Sequence, residues 1–350
     1  KPEDFFNTVT YTGDGSADQS MTGVGFKPDF LWIKRRNASE RHVLTNTQMD
    51  VSDGAYKWLD SADTHVEFSG GTGVESFDSD GFTIKTSDAT WNASGSTYVF
   101  WSWKCNGGTT ASNTDGDINS TVQVNQDAGF SIVNYTGNGS TSDQTIGHGL
   151  GVRANAVIVK NRDAAVNWVV WSEGVDANHS LELNTTDGIS DSTQGRVLSN
   201  AGSRGTSTIF SIRSGSGSVV QTNTSGEDYV AYCFAEKQGY SKFGGYVGNG
   251  NDNGPFIYTG FKPAFVLTKG NHVSQWRLYD SARSPNNVNI NRLFPYTDVA
   301  EATDTDAGID MLSNGFKIRG SGGDYNASGQ AYIYMAFAEN PFVTSTGIPT

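Results

Sequence analysis

The chain has 350 residues, of which 36% are hydrophobic and 17% charged, with 42 glycines, a formal charge of −13 and a pI near 4.7. There is enough apolar material for a real core, while scarce charge and abundant Ser, Thr, Asn and Gly suit turn-rich β-structure rather than long helices or disorder. The acidity argues against nucleic acid, which needs clustered Lys and Arg to displace counterions; with no ~20-residue apolar run and no basic-plus-apolar leader, membrane insertion is not expected either.

In chain order, the first predicted element is a strand running into a tight turn: Tyr11-Thr-Gly-Asp-Gly15. It recurs as Tyr135-Thr-Gly-Asn-Gly139 and Tyr246-Val-Gly-Asn-Gly250, so the chain carries an internal repeat. Next comes a short apolar strand entered through a turn and closed by lysine: Gly25-Phe-Lys-Pro-Asp-Phe-Leu-Trp-Ile-Lys34, then Leu150 to Lys160, then Gly260 to Lys269. Runs of this kind read as strands covered on both faces. A third element, Arg41-His-Val-Leu44, aligns with Asn167-Trp-Val-Val170 and Gln275-Trp-Arg-Leu278, which puts His42 in a slot filled elsewhere by Trp168 and Trp276. The fourth, Ser79 to Lys85, Thr208 to Arg213 and Ser313 to Arg319, alternates apolar and polar residues like a half-buried strand. The fifth opens on Asn92-Ala-Ser-Gly, Asn223-Thr-Ser-Gly and Asn326-Ala-Ser-Gly and ends in a strand where Tyr98, Tyr229 and Tyr332 coincide, as do Trp103, Phe234 and Phe337.

These elements predict an all-β chain of three tandem antiparallel β-sandwich domains, jelly-roll-like because the Cys-Trp-Cys spacing of immunoglobulin domains is missing. The expected domains are residues 1–104, 130–240 and 243–340, with a polar linker over 105–129 and a tail over 341–350. Two cysteines are too few for a disulfide framework, and Cys233, inside an apolar strand, reads as a small buried filler.

With the blocks aligned, the chain resembles a family of uncharacterised repeat domains of bacteriophage proteins, many from marine and cyanobacterial phages. The likeness rests on Gly25 to Lys34, Ser76 to Phe82, Asn113-Thr-Asp-Gly116, Gly147-His-Gly-Leu-Gly151, Tyr229 to Glu236, Tyr258 to Phe265, Tyr279-Asp-Ser-Ala-Arg283 and Ala338-Glu-Asn-Pro-Phe342. It implies a virion protein of the tail, a fibre or the particle surface, and brings no catalytic residues with it. The expected function is therefore a non-enzymatic structural component, part of a tail fibre or appendage touching the host surface, oligomeric and in contact with other virion proteins. A carbohydrate-binding lectin-like module and a capsid decoration protein are the alternatives. The count of three also allows a pseudo-threefold arrangement within one chain.

Enzyme chemistry needs a constellation, and none recurs across the copies: His65, His148, His179 and His272 are scattered without metal-ligand spacing. Asn113, Asp115 and Asp117 alternate around Gly116 as calcium ligands do, but the twelfth position is Val124 rather than a bidentate glutamate. A linker turn is expected there, and neither metal nor cofactor; Asp304, Asp306 and Asp310 fall under the same reasoning. For a glycan or receptor, the candidate contacts are Trp58, Trp91, Tyr279 and Tyr296, aromatic residues in or near the variable stretches, with interior packing as the competing role of the two tryptophans.

Overall fold

The computed structural model describes residues 1–176, 179–191, 205–212, 221–305 and 307–339. Asp306, Arg213 and the expected tail 341–350 lie outside them. Among the described residues, apart from a 3₁₀ turn at Pro2–Asp4 and one helical turn at Gly323–Asn326, the regular structure is all β, in antiparallel sheets.

The first repeat forms β1 (Phe6–Thr12), β2 (Gln19–Met21), β3 (Phe30–Arg35), β4 (His42–Asn46), β5 (Val51–Ser52), β6 (Ala55–Tyr56), β7 (Leu59–Asp60), β8 (Val74–Asp78), β9 (Gly81–Ile84) and β10 (Thr97–Trp103). Two strands follow, β11 (Ala111–Asn113) and β12 (Ser120–Asn125). The second repeat contributes β13 (Phe130–Thr136), β14 (Gln144–Gly147), β15 (Ala156–Asn161), β16 (Val169–Ser172), β17 (His179–Glu182), β18 (Ser190–Asp191), β19 (Ile209–Ile212) and β20 (Asp228–Phe234). The third contributes β21 (Ser241–Val247), β22 (Asn253–Tyr258), β23 (Pro263–Gly270), β24 (Arg277–Asp280), β25 (Asn291–Arg292), β26 (Ala302–Thr303), β27 (Ile309–Leu312), β28 (Gly315–Arg319) and β29 (Ala331–Ala338).

One strand order recurs three times: β1-β10-β3-β4, β13-β20-β15-β16 and β21-β29-β23-β24. Smaller sheets accompany them: β2-β9-β8, β14-β19 and β22-β28-β27. Register makes the equivalences concrete, because Lys34, Lys160 and Lys269 pair with Val99, Val230 and Ile333.

Alternation along the strands sends side chains to two different cores. In the first repeat, Leu31, Ile33, Val43 and Phe100 meet Met21, Phe82 and Ile84 of the smaller sheet. The opposite face of the same strands, carrying Phe30, Trp32, Trp101 and Trp103, joins residues of the other two repeats in a shared core. There the equivalent residues Trp103, Phe234 and Phe337 form a triangle, with ring centroids 6.4, 5.8 and 5.5 Å apart. This is why the central strands read as apolar on both faces.

The recurring turn motifs lock onto one another. Tyr11 stacks on Tyr98, Tyr135 on Tyr229 and Tyr246 on Tyr332, at 4.8, 4.9 and 5.0 Å. Asn92, Asn223 and Asn326 each accept a backbone N–H from the opposite turn, from Asp14, Asn138 and Asn249 at 3.1, 2.9 and 2.9 Å. The first glycine of each turn lies so close that a Cβ would stand 2.4, 2.1 and 2.3 Å from the carbonyls of Ala93, Thr224 and Ala327.

Residues 105–129, expected as a polar linker, instead supply two strands that extend the second sheet through β12 on β13. Polar composition concealed this because the anchoring groups are themselves polar. Asp29, wholly buried, accepts Gln123 Nε2 and the Cys105 N–H, both at 2.6 Å. The Cys105 thiol donates to the Gln123 carbonyl at 2.9 Å. Cys233 is a free, buried thiol inside β20, and burial raises its pKa.

Candidate functional site

The most elaborate chemistry lies on three equivalent seams between repeats. Two residues beyond each buried lysine, a backbone carbonyl accepts an N–H from a neighbouring repeat. Glu67 N donates to Arg162 O, Ile189 N to Asn271 O and Glu301 N to Arg36 O, at 2.9, 2.9 and 2.8 Å. The seams thus join the second repeat to the first, the third to the second and the first to the third, closing a cycle.

A second set of bonds follows the same cycle. Trp168 Nε1 donates to Asp60 O and Trp276 Nε1 to Glu182 O, both at 2.8 Å. In the first repeat His42 occupies this slot, wholly buried, its Nδ1 accepting Trp32 Nε1 at 3.1 Å. Burial, with Lys34 and Arg283 adding to it, holds the His42 pKa well below its ordinary value, so the ring is neutral and its proton sits on Nε2. Nε2 itself is buried with no hydrogen-bond partner among the described residues.

The lysines that close the apolar strands lie at these seams with fully buried side chains. Lys34 Nζ donates to Asp298 O at 3.0 Å and Lys160 Nζ to Thr64 O at 3.2 Å, each across a seam. Lys269 Nζ bonds within its own repeat, to Gly270 O at 2.8 Å and His272 O at 3.0 Å. Desolvation disfavours the ammonium form and lowers the three pKa values to about 8, about 7 and about 8 for Lys34, Lys160 and Lys269.

Two seams add ion pairs, buried except at Asp50, whose side chain is largely exposed. Arg162 pairs with Glu67 at 2.5 Å and Asp50 at 3.0 Å. Arg283 and Asp280, both with no side-chain exposure, pair at 2.5 Å, and Arg283 reaches Glu301 at 2.7 Å, which in turn holds Arg36 at 2.9 Å. Asp280 also accepts Trp101 Nε1 at 3.1 Å. The corresponding bond at the first–second seam is Asn46 Nδ2 to the Tyr232 hydroxyl, 3.0 Å.

Near the seam between the first and third repeats, a cavity of about 400 Å³ opens among Glu40, Arg41, Asp60, Asp63, His65 and Tyr296 to Asp298. Arg41 bridges to Asp60 at 3.2 Å and His65 Nδ1 lies 3.1 Å from Asp63. Burial raises the Asp60 carboxyl against the pull of the Ala62 N–H and Arg41. The lining offers carboxylates and one aromatic ring to a polar ligand.

Of the four aromatic candidates, only Tyr296 lines this cavity. Trp91 and Tyr279 are wholly or almost wholly buried and Trp58 nearly so. Trp58 stacks on Phe68 at 4.1 Å and meets Trp91 edge-on at 5.7 Å, while the Tyr279 hydroxyl donates to Ala307 O. These three are packing residues, because the variable stretches fold back over the sheet instead of standing away from it. Asn113, Asp115 and Asp117 form a turn: the Asp115 N–H donates to Asn113 Oδ1, and Asp117 accepts both the backbone and hydroxyl of Thr145 at 3.0 and 2.8 Å. Asp304 pairs with Arg292, and Asp310 with Arg319. The buried lysines were missed as a set, although their recurrence at one repeat position was visible.

The fold and seams define an all-β protein whose repeats are joined by a closed cycle of equivalent polar contacts. The chain belongs to the family described as a domain of unknown function (DUF7483), whose model matches residues 1–341. No match was found among curated proteins or solved structures.

Proposed function

We propose that the chain is a non-enzymatic structural component of a bacteriophage particle, built from three jelly-roll-like sandwiches and carried on a tail fibre or similar appendage that touches the host. The phage assignment rests on the sequence resemblance. The observation that carries the structural role is the closed cycle of seams: opening any repeat would expose buried lysines and aromatic rings together, which suits a rigid extracellular scaffold. First pairing with last strand, and second with next-to-last, is the nested arrangement of a jelly roll, with β4, β16 and β24 remaining in the larger sheets.

Cryo-EM of intact particles, with the chain located by a bound specific antibody fragment, tests the proposal. Density at the tail or a fibre supports it. Density distributed over the capsid would make the chain a decoration protein, and absence from purified particles would remove the virion role.

A further inference from the structure

The three small sheets share a plan but present different outer faces. Met21, Ile146 and Ile257 are equivalent, pairing with Phe82, Phe210 and Phe316 and pointing inward. The outward residues on either side are Ser20 and Thr22 in the first repeat and Thr145 and Gly147 in the second. In the second this face is occupied by the 113–118 segment, through Asp117 on Thr145 and through Asn113, whose Oδ1 would stand 1.7 Å from a Cβ on Gly147. In the third the residues are Phe256 and Tyr258, 45% and 62% exposed. An aromatic pair at this one copy of a thrice-used position cannot be ascribed to folding, since the other copies fold without it.

Both rings lie over glycine. A Cβ on Gly315 would stand 3.0 Å from the Phe256 ring, and one on Gly260 would stand 3.4 Å from the Tyr258 hydroxyl. Alternate residues of a strand are roughly 7 Å apart, which places two ring faces side by side above a glycine floor. Exposed Asn253 and Asn314 bring amides to the surrounding surface. The neighbouring Lys317 amine already donates to Gly254 O at 2.7 Å.

We propose that Phe256 and Tyr258 form a stacking platform for a neutral saccharide. Their exposed apolar area is on the order of 200 Å², far below the ~800 Å² per partner of a stable protein interface, but adequate for one or two pyranose rings. The free edge of β22 is blunted by Pro255 and by a register shift between Asn253 and Phe256, which disfavours an added strand. Strong negative charge on the chain disfavours an anionic sugar. The site is independent of where the chain sits in a particle, so a failure here leaves the virion reading standing.

The test is a printed array of neutral oligosaccharides probed with the full chain, followed by calorimetric titration of the strongest hit. Phe256→Ala with Tyr258→Ala is expected to lower affinity at least tenfold with an unchanged melting temperature, while Phe256→Trp retains binding. No binding to any neutral glycan, or binding indifferent to the double substitution, overturns the proposal. So does a face that drives self-association, read by sedimentation, in place of sugar binding.

Discussion

The seam between the first and third repeats and the seam between the second and third have the same backbone bond but different side chains. In the former, Glu301 reaches the Arg36 carbonyl and Arg36, Glu301, Arg283 and Asp280 form a buried ionic chain. In the latter the equivalent residues are Ile189 and Asn271, and the bond is closed without charge. The main-chain hydrogen bond is what the two seams share and so sets their geometry, and charges are a local addition whose net worth depends on complete pairing.

Removing one ion should separate the two designs most strongly. Arg283→Ala leaves Asp280 buried without its cation and Glu301 with Arg36 alone, and is expected to cost about 3–5 kcal/mol, measured by denaturant unfolding; a loss below 1 kcal/mol would mean that solvent reaches this seam. The tryptophan anchors of the first–second and second–third seams should behave alike. Trp168→Phe and Trp276→Phe each remove one hydrogen bond to a buried backbone carbonyl, for a predicted loss of about 1–3 kcal/mol apiece, and markedly unequal values would break the equivalence of the slots.

The buried lysines predict a pH dependence with a definite sign. Their folded pKa values, about 7 for Lys160 and about 8 for Lys34 and Lys269, lie below the ordinary 10.5. Between those limits the unfolded chain binds more protons, so stability rises with pH and is lost as pH falls through 8 to 7. Each lysine contributes at most about 1.4 kcal/mol per pH unit, and Lys160→Met should reduce the slope between pH 7 and 10 by up to that amount in melts followed by circular dichroism. The smallest effect belongs to Ser172, the counterpart of Asn46 and Asp280. Its buried hydroxyl has no partner, so Ser172→Ala should change stability by less than about 1 kcal/mol in either direction, whereas Asn46→Ala should cost about 1–3 kcal/mol by leaving the Tyr232 hydroxyl unpaired.

Much of the local architecture was legible. The Tyr-x-Gly-x-Gly and Asn-x-Ser-Gly motifs marked turns that do meet, and the coincidence of Tyr98, Tyr229 and Tyr332 gave the register of the closing strands. The candidate aromatics were harder. Composition and loop position cannot distinguish Trp58, buried against Phe68, from Tyr296, which lines a cavity, because that difference depends on how a variable stretch folds back. Residues 105–129 misled for a similar reason: Gln123 and Ser120 look like surface residues until Asp29 and the Gly147 carbonyl supply their partners.

By itself, the sequence determined the strands, their turns and the threefold recurrence, since strand alternation, glycine backbone freedom and tyrosine pairing act over short stretches or repeat at fixed spacing. Tertiary structure alone decided what each buried face packs against. It made three lysines that close apolar strands into desolvated seam residues, turned three candidate contacts into core, and left Phe256 and Tyr258 exposed where one repeat covers the same face and another keeps it polar. Those outcomes depend on contacts between residues far apart in the chain, whose desolvation and pairing no local pattern encodes.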